Sequence, residues 1–323
     1  MYGRAAQVGG RSRDGRRDAQ GQGLRSGGQP PRPRAVSTPR RVCALGGGHG
    51  LATSLRAIRT YAEEVTAVVS IADDGGSSGR IRASEGGPAP GDLRRCFEAL
   101  GDGSMLTAEL GWRFSGGELD GHALGNLLIA GLVGAGEDLV GALDEVGRLV
   151  GAVGRVLPAT SRPVDLVADT GDWEVEGQVA VHRASGIVRL RLVPSDVSSP
   201  PEVVTAISGS DQVVLGPGSF YTSVLAATLA PDVLRALAAR SGPLVLVANL
   251  VPDVESPELI DDQLEVLEGH GVRPDVVLVD DVFEEAVSGR CPVMRAPVSA
   301  PGGLIHDPVA LGAALATCSV ANL

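Results

Sequence analysis

Lysine is absent. All 28 basic residues of the 323-residue chain are arginine. That excludes a P-loop lysine on nucleotide phosphates, and a lysine Schiff base or any other lysine nucleophile. Anions must be met by arginine, by backbone amides or through a metal. Cysteine is scarce as well. Cys43, Cys96, Cys291 and Cys318 lie far apart. No C-x-x-C pair occurs, which removes zinc-ribbon and thioredoxin-type readings. Scattered thiols suit a reducing cytosol. No apolar run reaches the length of a membrane span. The Arg-rich start lacks the apolar core of a signal peptide. A cytoplasmic protein is expected.

What is present has a globular balance, with 43% hydrophobic and 21% charged residues. The net charge of −11 is unevenly spread. Residues 1–41 hold ten arginines against Asp14 and Asp18, while the remainder is strongly acidic. An acidic body speaks against nucleic-acid binding, which needs a basic surface. Residues 1–40 offer almost nothing to bury, so a disordered Arg/Gly-rich tail is expected there. Val36 is a candidate alternative start.

From residue 41 on, the pattern is that of one α/β domain. Val42–Leu45 is a short apolar run ending in Gly46-Gly47-Gly48-His49-Gly50. A helical stretch follows from Leu51 to about Tyr61. A second buried strand, Val65–Ile71, ends in Ala72-Asp73-Asp74-Gly75-Gly76-Ser77-Ser78-Gly79-Arg80. Strand, glycine loop, helix, strand is the pattern of a Rossmann-like parallel sheet flanked by helices. Residues 92–100 and 122–149 read as helical. Between 153 and 193 four short β runs (Val153–Leu157, Val164–Ala168, Val175–Val181, Ile187–Val193) suggest a small antiparallel insertion. Parallel strands return at Gln212–Leu215, Leu244–Ala248 and Val276–Val279. A last helix spans 307–317.

Ligands of open parallel sheets sit at the carboxyl ends of the strands, so the loops there are the candidates. Gly46–Gly50 lets a ligand approach backbone amides at a helix start, although a tight turn alone would explain it. Its spacing fails the G-x-G-x-x-G dinucleotide fingerprint, because Leu51 or Thr53 stands where the third glycine belongs. Asp73 and Asp74 can hold a hard cation such as Mg²⁺, accept sugar hydroxyls, or cap a turn. Ser77, Ser78 and Gly79 can form an amide nest for phosphate. Arg80 and Arg82 can pair with that phosphate. Asp92 reads as a helix cap first and a functional carboxylate second. His122 and Asn126, four apart, share one face if both are helical. Gly216-Pro217-Gly218-Ser219-Phe220-Tyr221-Thr222-Ser223 is a second anion-binding candidate. It lacks the G-x-S-x-G elbow of a nucleophile. Asn249 ends the next strand, where it can read a base or cap a turn.

Taken together, these loops resemble one family. Gly46-Gly47-Gly48-His49-Gly50-Leu51, IADDGGSSGRIR (71–82), GDLR (91–94), GHALGNLL (121–128), VGRVLPAT (153–160) and LGPGSFYTS (215–223) are similar to the YvcK proteins. These are also called gluconeogenesis factors and are related to the CofD 2-phospho-L-lactate transferases. The resemblance implies a cytoplasmic UDP-sugar-binding protein, with UDP-N-acetylglucosamine as ligand and no turnover. It implies a role in cell shape and cell-wall precursor supply on gluconeogenic carbon. The implied ligand residues are Gly46, Gly47, Gly48, His49, Gly50, Asp73, Asp74, Ser77, Ser78, Arg80, Asn126, Gly216, Gly218, Ser219, Tyr221, Thr222 and Asn249. No cofactor or metal is implied, except Mg²⁺ on Asp73 and Asp74 if the chain is a transferase of the CofD type. Those transferases carry an N-T-G-D-D run after the second strand, in place of the serine-rich form here. The implied partner is a cell-wall precursor enzyme. A homodimer is expected from the size of such parallel α/β proteins alone, and neither nucleic acid nor membrane is expected, from the charge and the short apolar runs. Two departures stand out. His49 replaces the common threonine. The stretch after Asn249 reads Leu250-Val251-Pro252-Asp253-Val254-Glu255-Ser256 in place of N-L-M-T-Q-x-G-E-T, and Asp262-Gln263 stands where an Asp-His pair is usual. From that altered loop only Glu255 is a candidate contact.

Overall fold

The computed structural model describes residues 38–282, 287 and 289–318. The reading of residues 1–37 as a tail therefore lies outside the described residues. Strand β1 (Arg41–Gly46) is apolar on both faces, as a central parallel strand must be. Val42 and Ala44 enter the core on one side of the sheet, and Cys43 and Leu45 enter the core on the other. The chain then runs through α1 (Gly48–Ile58), β2 (Glu64–Val69), α2 (Gly76–Glu85) and α3 (Gly91–Leu100). It continues through α4 (Met105–Glu109), α5 (Leu124–Gly134), α6 (Leu139–Leu149) and β3 (Arg155–Pro158). The insertion holds β4 (Asp165–Asp169), β5 (Glu174–Glu176), α7 (Gln178–Val181) and β6 (Arg189–Val193). Next come α8 (Pro201–Gly209), β7 (Gln212–Leu215), a π-helix at Phe220–Leu225, α9 (Pro231–Ala239) and β8 (Leu244–Val247). The described chain closes with α10 (Ile260–Gly269), β9 (Val276–Asp280), β10 (Val293–Ala296) and α11 (Pro308–Thr317).

Seven parallel strands form the main sheet in the order β10-β9-β8-β7-β1-β2-β3. After β1 the chain builds outward through β2 and β3. It then returns to the other side of β1 and builds outward again from β7. The order reverses between β1 and β7, which is the switch point where the ligand crevice of such sheets opens. Register brings the two glycine loops to the same level. Leu45 lies opposite both Val68 and Leu215, so Gly46 and Gly216 leave the sheet side by side. The helices α1, α3, α6 and α11 pack on one face around Leu55, Phe97, Val146 and Leu311. The insertion, α8, α9 and α10 cover the other face.

Three expectations change. The run at Val153–Leu157 is not part of the antiparallel insertion. Its strand, β3, pairs in parallel with β2, Leu157 opposite Val68. A short buried run reads the same in either setting, and only its partner decides. The antiparallel sheet is β5-β4-β6 alone. The run at Val175–Val181 is a strand only to Glu176, because Gly177 turns at φ +95° and the chain then coils into α7. Residues 122–149 form two helices rather than one. Asp138 caps the second by accepting from the Gly141 amide at 2.8 Å.

Candidate functional site

An open cleft of about 480 Å³ lies at the carboxyl ends of β1, β2 and β7, within the size range of small-ligand sites. Its floor is Gly47–Gly50. Gly48 takes φ +63°, so the chain turns directly from β1 into α1. Gly50 sits against the second glycine loop, where any Cβ would run into the Pro217 carbonyl. Helix α1 thus starts at Gly48 rather than Leu51, and His49 and Gly50 belong to its first turn.

The starts of α1, α2 and α3 converge on this cleft, contributing Gly48–Gly50, Gly76–Ser78, and Gly91, Asp92, Arg94 and Arg95 to its lining. None of the three carries a capping side chain. Helices α4, α6 and α11 begin away from the cleft with Ser104, Asp138 and Asp307 as caps. Other helices also lack side-chain caps. What distinguishes α1–α3 is that their positive dipole ends face one space, an arrangement suited to an anion, although Asp92 already accepts the Gly48 amide and Ser78 the Gly91 amide. The IADDGGSSGR run is accordingly a turn followed by the start of α2, not an amide nest.

Arginines supply the formal charge. Arg94, Arg95 and Arg113 line the cleft. Arg94 and Arg95 sit in the first turn of α3, where the helix dipole disfavours cations. Arg95 donates to Asp92 at 2.6 Å. Burial, opposed by Arg95 and helped by Asp73, raises the Asp92 carboxyl above its usual value. Burial and Arg95 lower the His49 imidazole, so it is neutral at neutral pH. Arg80 is placed differently. It donates to the Asp120 carbonyl at 2.7 Å and is not among the cleft-lining residues.

A polar chain stiffens one wall. Ser77 Oγ accepts from Asn126 Nδ2 at 3.0 Å and lies 3.1 Å from His122 Nδ1. Asn126 Oδ1 accepts from Arg94 Nε at 3.0 Å, and Arg94 pairs with Glu98. His122 and Asn126 do meet, but not through helical spacing. His122 precedes α5, and Ser77 is what joins them. Ser78 Oγ accepts the Gly91 amide at 3.1 Å, tying α2 to α3.

The two aspartates separate. Asp73 lines the cleft, and its Oδ1 accepts the Gly75 amide at 2.9 Å. Asp74 turns to the insertion, where Oδ1 accepts the Val179 amide at 2.9 Å. With one carboxylate in the cleft and the other holding α7, they do not form a shared two-carboxylate Mg²⁺ pincer.

The second loop contributes Gly218, Ser219 and Ser223 to the cleft. Gly46 and Gly216 lie just behind, as the strand exits. Asn249 serves this loop. Its amide accepts from the Gly218 N–H at 2.9 Å and donates to the Gly218 carbonyl at 3.0 Å. Ser54 holds the Gly216 carbonyl from α1. Tyr221 and Thr222 are buried and face away. Tyr221 donates to the Ile187 carbonyl at 3.0 Å, and the Thr222 amide and hydroxyl donate to Glu255 at 2.8 and 2.9 Å. The lining side chains that the sequence reading did not single out as ligands are Arg94, Arg95, Arg113 and Gln178. Two arginines placed against a helix dipole were the available signal for the first pair. Arg113 and Gln178 are brought in by tertiary folding alone.

Residues 42–291 match the family model described as 2-phospho-L-lactate transferase CofD. A Mycobacterium tuberculosis protein named "Putative gluconeogenesis factor" is 40% identical over 85% of this chain and 89% of its own. The chain belongs to the YvcK family of CofD-like proteins. A second YvcK relative, the "Gluconeogenesis factor" of Halalkalibacterium halodurans, is 34% identical over 78% of this chain and 81% of its own. The crystal structure of a UPF0052-family protein from Bacillus halodurans matches with a TM-score of 0.80 and 30% identity, covering 85% of this chain and 98% of that one. The YvcK cleft described above therefore sits on a fold already seen in a solved structure.

Proposed function

We propose that this protein is a cytoplasmic UDP-sugar-binding regulator whose ligand is UDP-N-acetylglucosamine, held without turnover. The observation that carries this reading is the convergence of the first turns of α1, α2 and α3 with three arginines on one cleft at the switch point. The diphosphate rests on the amides of Gly48–Gly50 and Gly76–Ser78 and on Arg95 and Arg113. Asp73, Ser219 and Ser223 offer hydrogen bonds to the uridine or sugar hydroxyls. The occupied cleft signals precursor level to a partner, an enzyme of cell-wall precursor synthesis, during growth on gluconeogenic carbon.

Calorimetry with UDP-N-acetylglucosamine tests the reading. Micromolar binding is expected. Arg95→Ala and Arg113→Ala should each weaken it by about 1.5–3 kcal/mol, roughly ten- to a hundredfold. Arg80→Ala should have a smaller effect, because Arg80 lies outside the lining. Absence of binding at millimolar ligand defeats the proposal. The CofD family model favours a second reading, transfer of a phospholactate unit from a nucleoside diphosphate to a deazaflavin alcohol. Incubation with the activated phospholactate donor, the flavin acceptor and Mg²⁺ distinguishes the two, since only an enzyme yields product.

A further inference from the structure

Behind the second glycine loop, away from the cleft lining, three side chains from two segments meet. His182 caps the C-terminal end of α7. Asp253 and Glu255 lie on the altered loop after β8. One donor atom from each of the three lies within 4.8 Å of the others. The Glu255 side chain has no exposed surface. Its Oε1 accepts the Thr222 amide and hydroxyl, and its Oε2 lies 3.2 Å from His182 Nδ1. Asp253 Oδ1 accepts the Val254 amide at 2.8 Å. Asp253 Oδ2 is buried and has no hydrogen-bond partner, and the Ser256 hydroxyl of the same loop is in the same condition. The ion-pair partner of Glu255 among the described residues is His182, and no arginine joins it.

A fully buried carboxylate beside a second carboxylate is costly unless a cation compensates. The orphaned Asp253 oxygen is an acceptor turned inward with nothing to accept from. A divalent cation would satisfy that oxygen and relieve the repulsion together. One imidazole and two carboxylates make a mixed N/O donor set. That set suits first-row ions such as Zn²⁺ and Mn²⁺, whereas Mg²⁺ favours all-oxygen octahedra with several waters. Tetrahedral bonds near 2.1 Å place donors about 3.4 Å apart, a closure of roughly an ångström for side chains on a loop and a helix end.

We propose that His182, Asp253 and Glu255 form a binding site for a divalent first-row transition ion of the Zn²⁺ class, joining the insertion to the loop after β8. The bound ion fastens the C-terminal end of α7, whose beginning is already held by Asp74 on the Val179 amide. It also fixes the Glu255 carboxylate that holds Thr222 in the π-helix. The site therefore acts as a staple across the second glycine loop, and binding of the ion does not depend on the nature of the cleft ligand.

The test uses the full chain, stripped with chelator and free of affinity tag, titrated with Zn²⁺, Mn²⁺ and Mg²⁺ near neutral pH. One equivalent of Zn²⁺ should bind more tightly than Mg²⁺ by at least tenfold and raise the melting temperature. Co²⁺ substitution should give a d–d band that shifts in His182→Gln. Asp253→Asn and Glu255→Gln should each weaken Zn²⁺ binding at least tenfold. Glu255→Gln keeps a carbonyl oxygen for Thr222, and Asp253→Asn leaves Glu255 untouched, so a folded variant remains available. Asp73→Asn, in the cleft, should bind the ion as the wild type does. Absence of a stoichiometric site, or binding that survives all three substitutions, overturns the proposal whatever happens at the cleft.

Discussion

Arg95 shows what the absence of lysine means at the level of a single residue. Its planar guanidinium sits in the first turn of α3, holds Asp92 and faces the cleft. A fork of donors can meet a phosphate bidentately, which an ammonium cannot. The groups around it also predict a pH dependence. The diphosphate of a UDP-sugar carries no group that titrates near neutrality, so the dependence belongs to the protein. Asp92 is raised by burial, and protonating it removes a negative charge beside the anion. His49 is lowered by burial and Arg95, and protonating it adds a positive one. Both act in the same direction. Affinity should be flat above the ordinary imidazole range and rise as pH falls below it, because the lowered imidazole and the raised carboxyl take up their protons on that side. Calorimetry at several pH values checks this, and His49→Gln should flatten part of the rise. Little of this residue-level picture could be read from sequence. GDLRR declares a helix start, but not that its arginines face the same space as Gly48. His122 and Asn126 invited a helical-face argument, yet their meeting point is Ser77, 45 residues before His122.

The elements were more legible. A glycine run after a buried strand marks a loop at the carboxyl edge, and both such loops lie where the strand pattern places them. What the pattern withholds is partner identity. The β3 run and the runs of the insertion look alike, and only pairing with β2 separates them. The contact between the two glycine loops was also beyond the sequence. Gly50→Ala forces a methyl group into the Pro217 carbonyl, and it should unfold at lower denaturant and bind more weakly, since the α1 start must shift. Asn249→Ala should behave differently. It removes both side-chain bonds that hold Gly218, each worth about 1 kcal/mol net. Stability should therefore fall by about 2 kcal/mol without any steric displacement of α1, and binding should weaken because Gly218 in the cleft is no longer fixed. Denaturant unfolding alongside calorimetry separates the two outcomes.

At the scale of the whole molecule, strand order decides where function can sit. The reversal at β1/β7 leaves a crevice, and among the described residues both faces of the sheet are covered by helices or by the insertion, so the crevice opens at the carboxyl edge. The cores on the two faces carry the stability. Phe97 is buried in one of them, and Phe97→Ala should cost about 3–5 kcal/mol in denaturant unfolding. The acidic body and an anion-binding cleft are compatible because the field that matters is local. Three arginines balance Asp73, Asp92 and Glu98 there, and the three helix starts add the positive ends of their dipoles, whatever the net charge of −11. The most direct measurement is a crystal structure of the full chain soaked with UDP-N-acetylglucosamine. The account predicts the diphosphate against the amides of Gly48–Gly50 and Gly76–Ser78 with Arg95 or Arg113 on its oxygens. Density for the nucleotide elsewhere on the molecule, with this cleft holding only water, would contradict it.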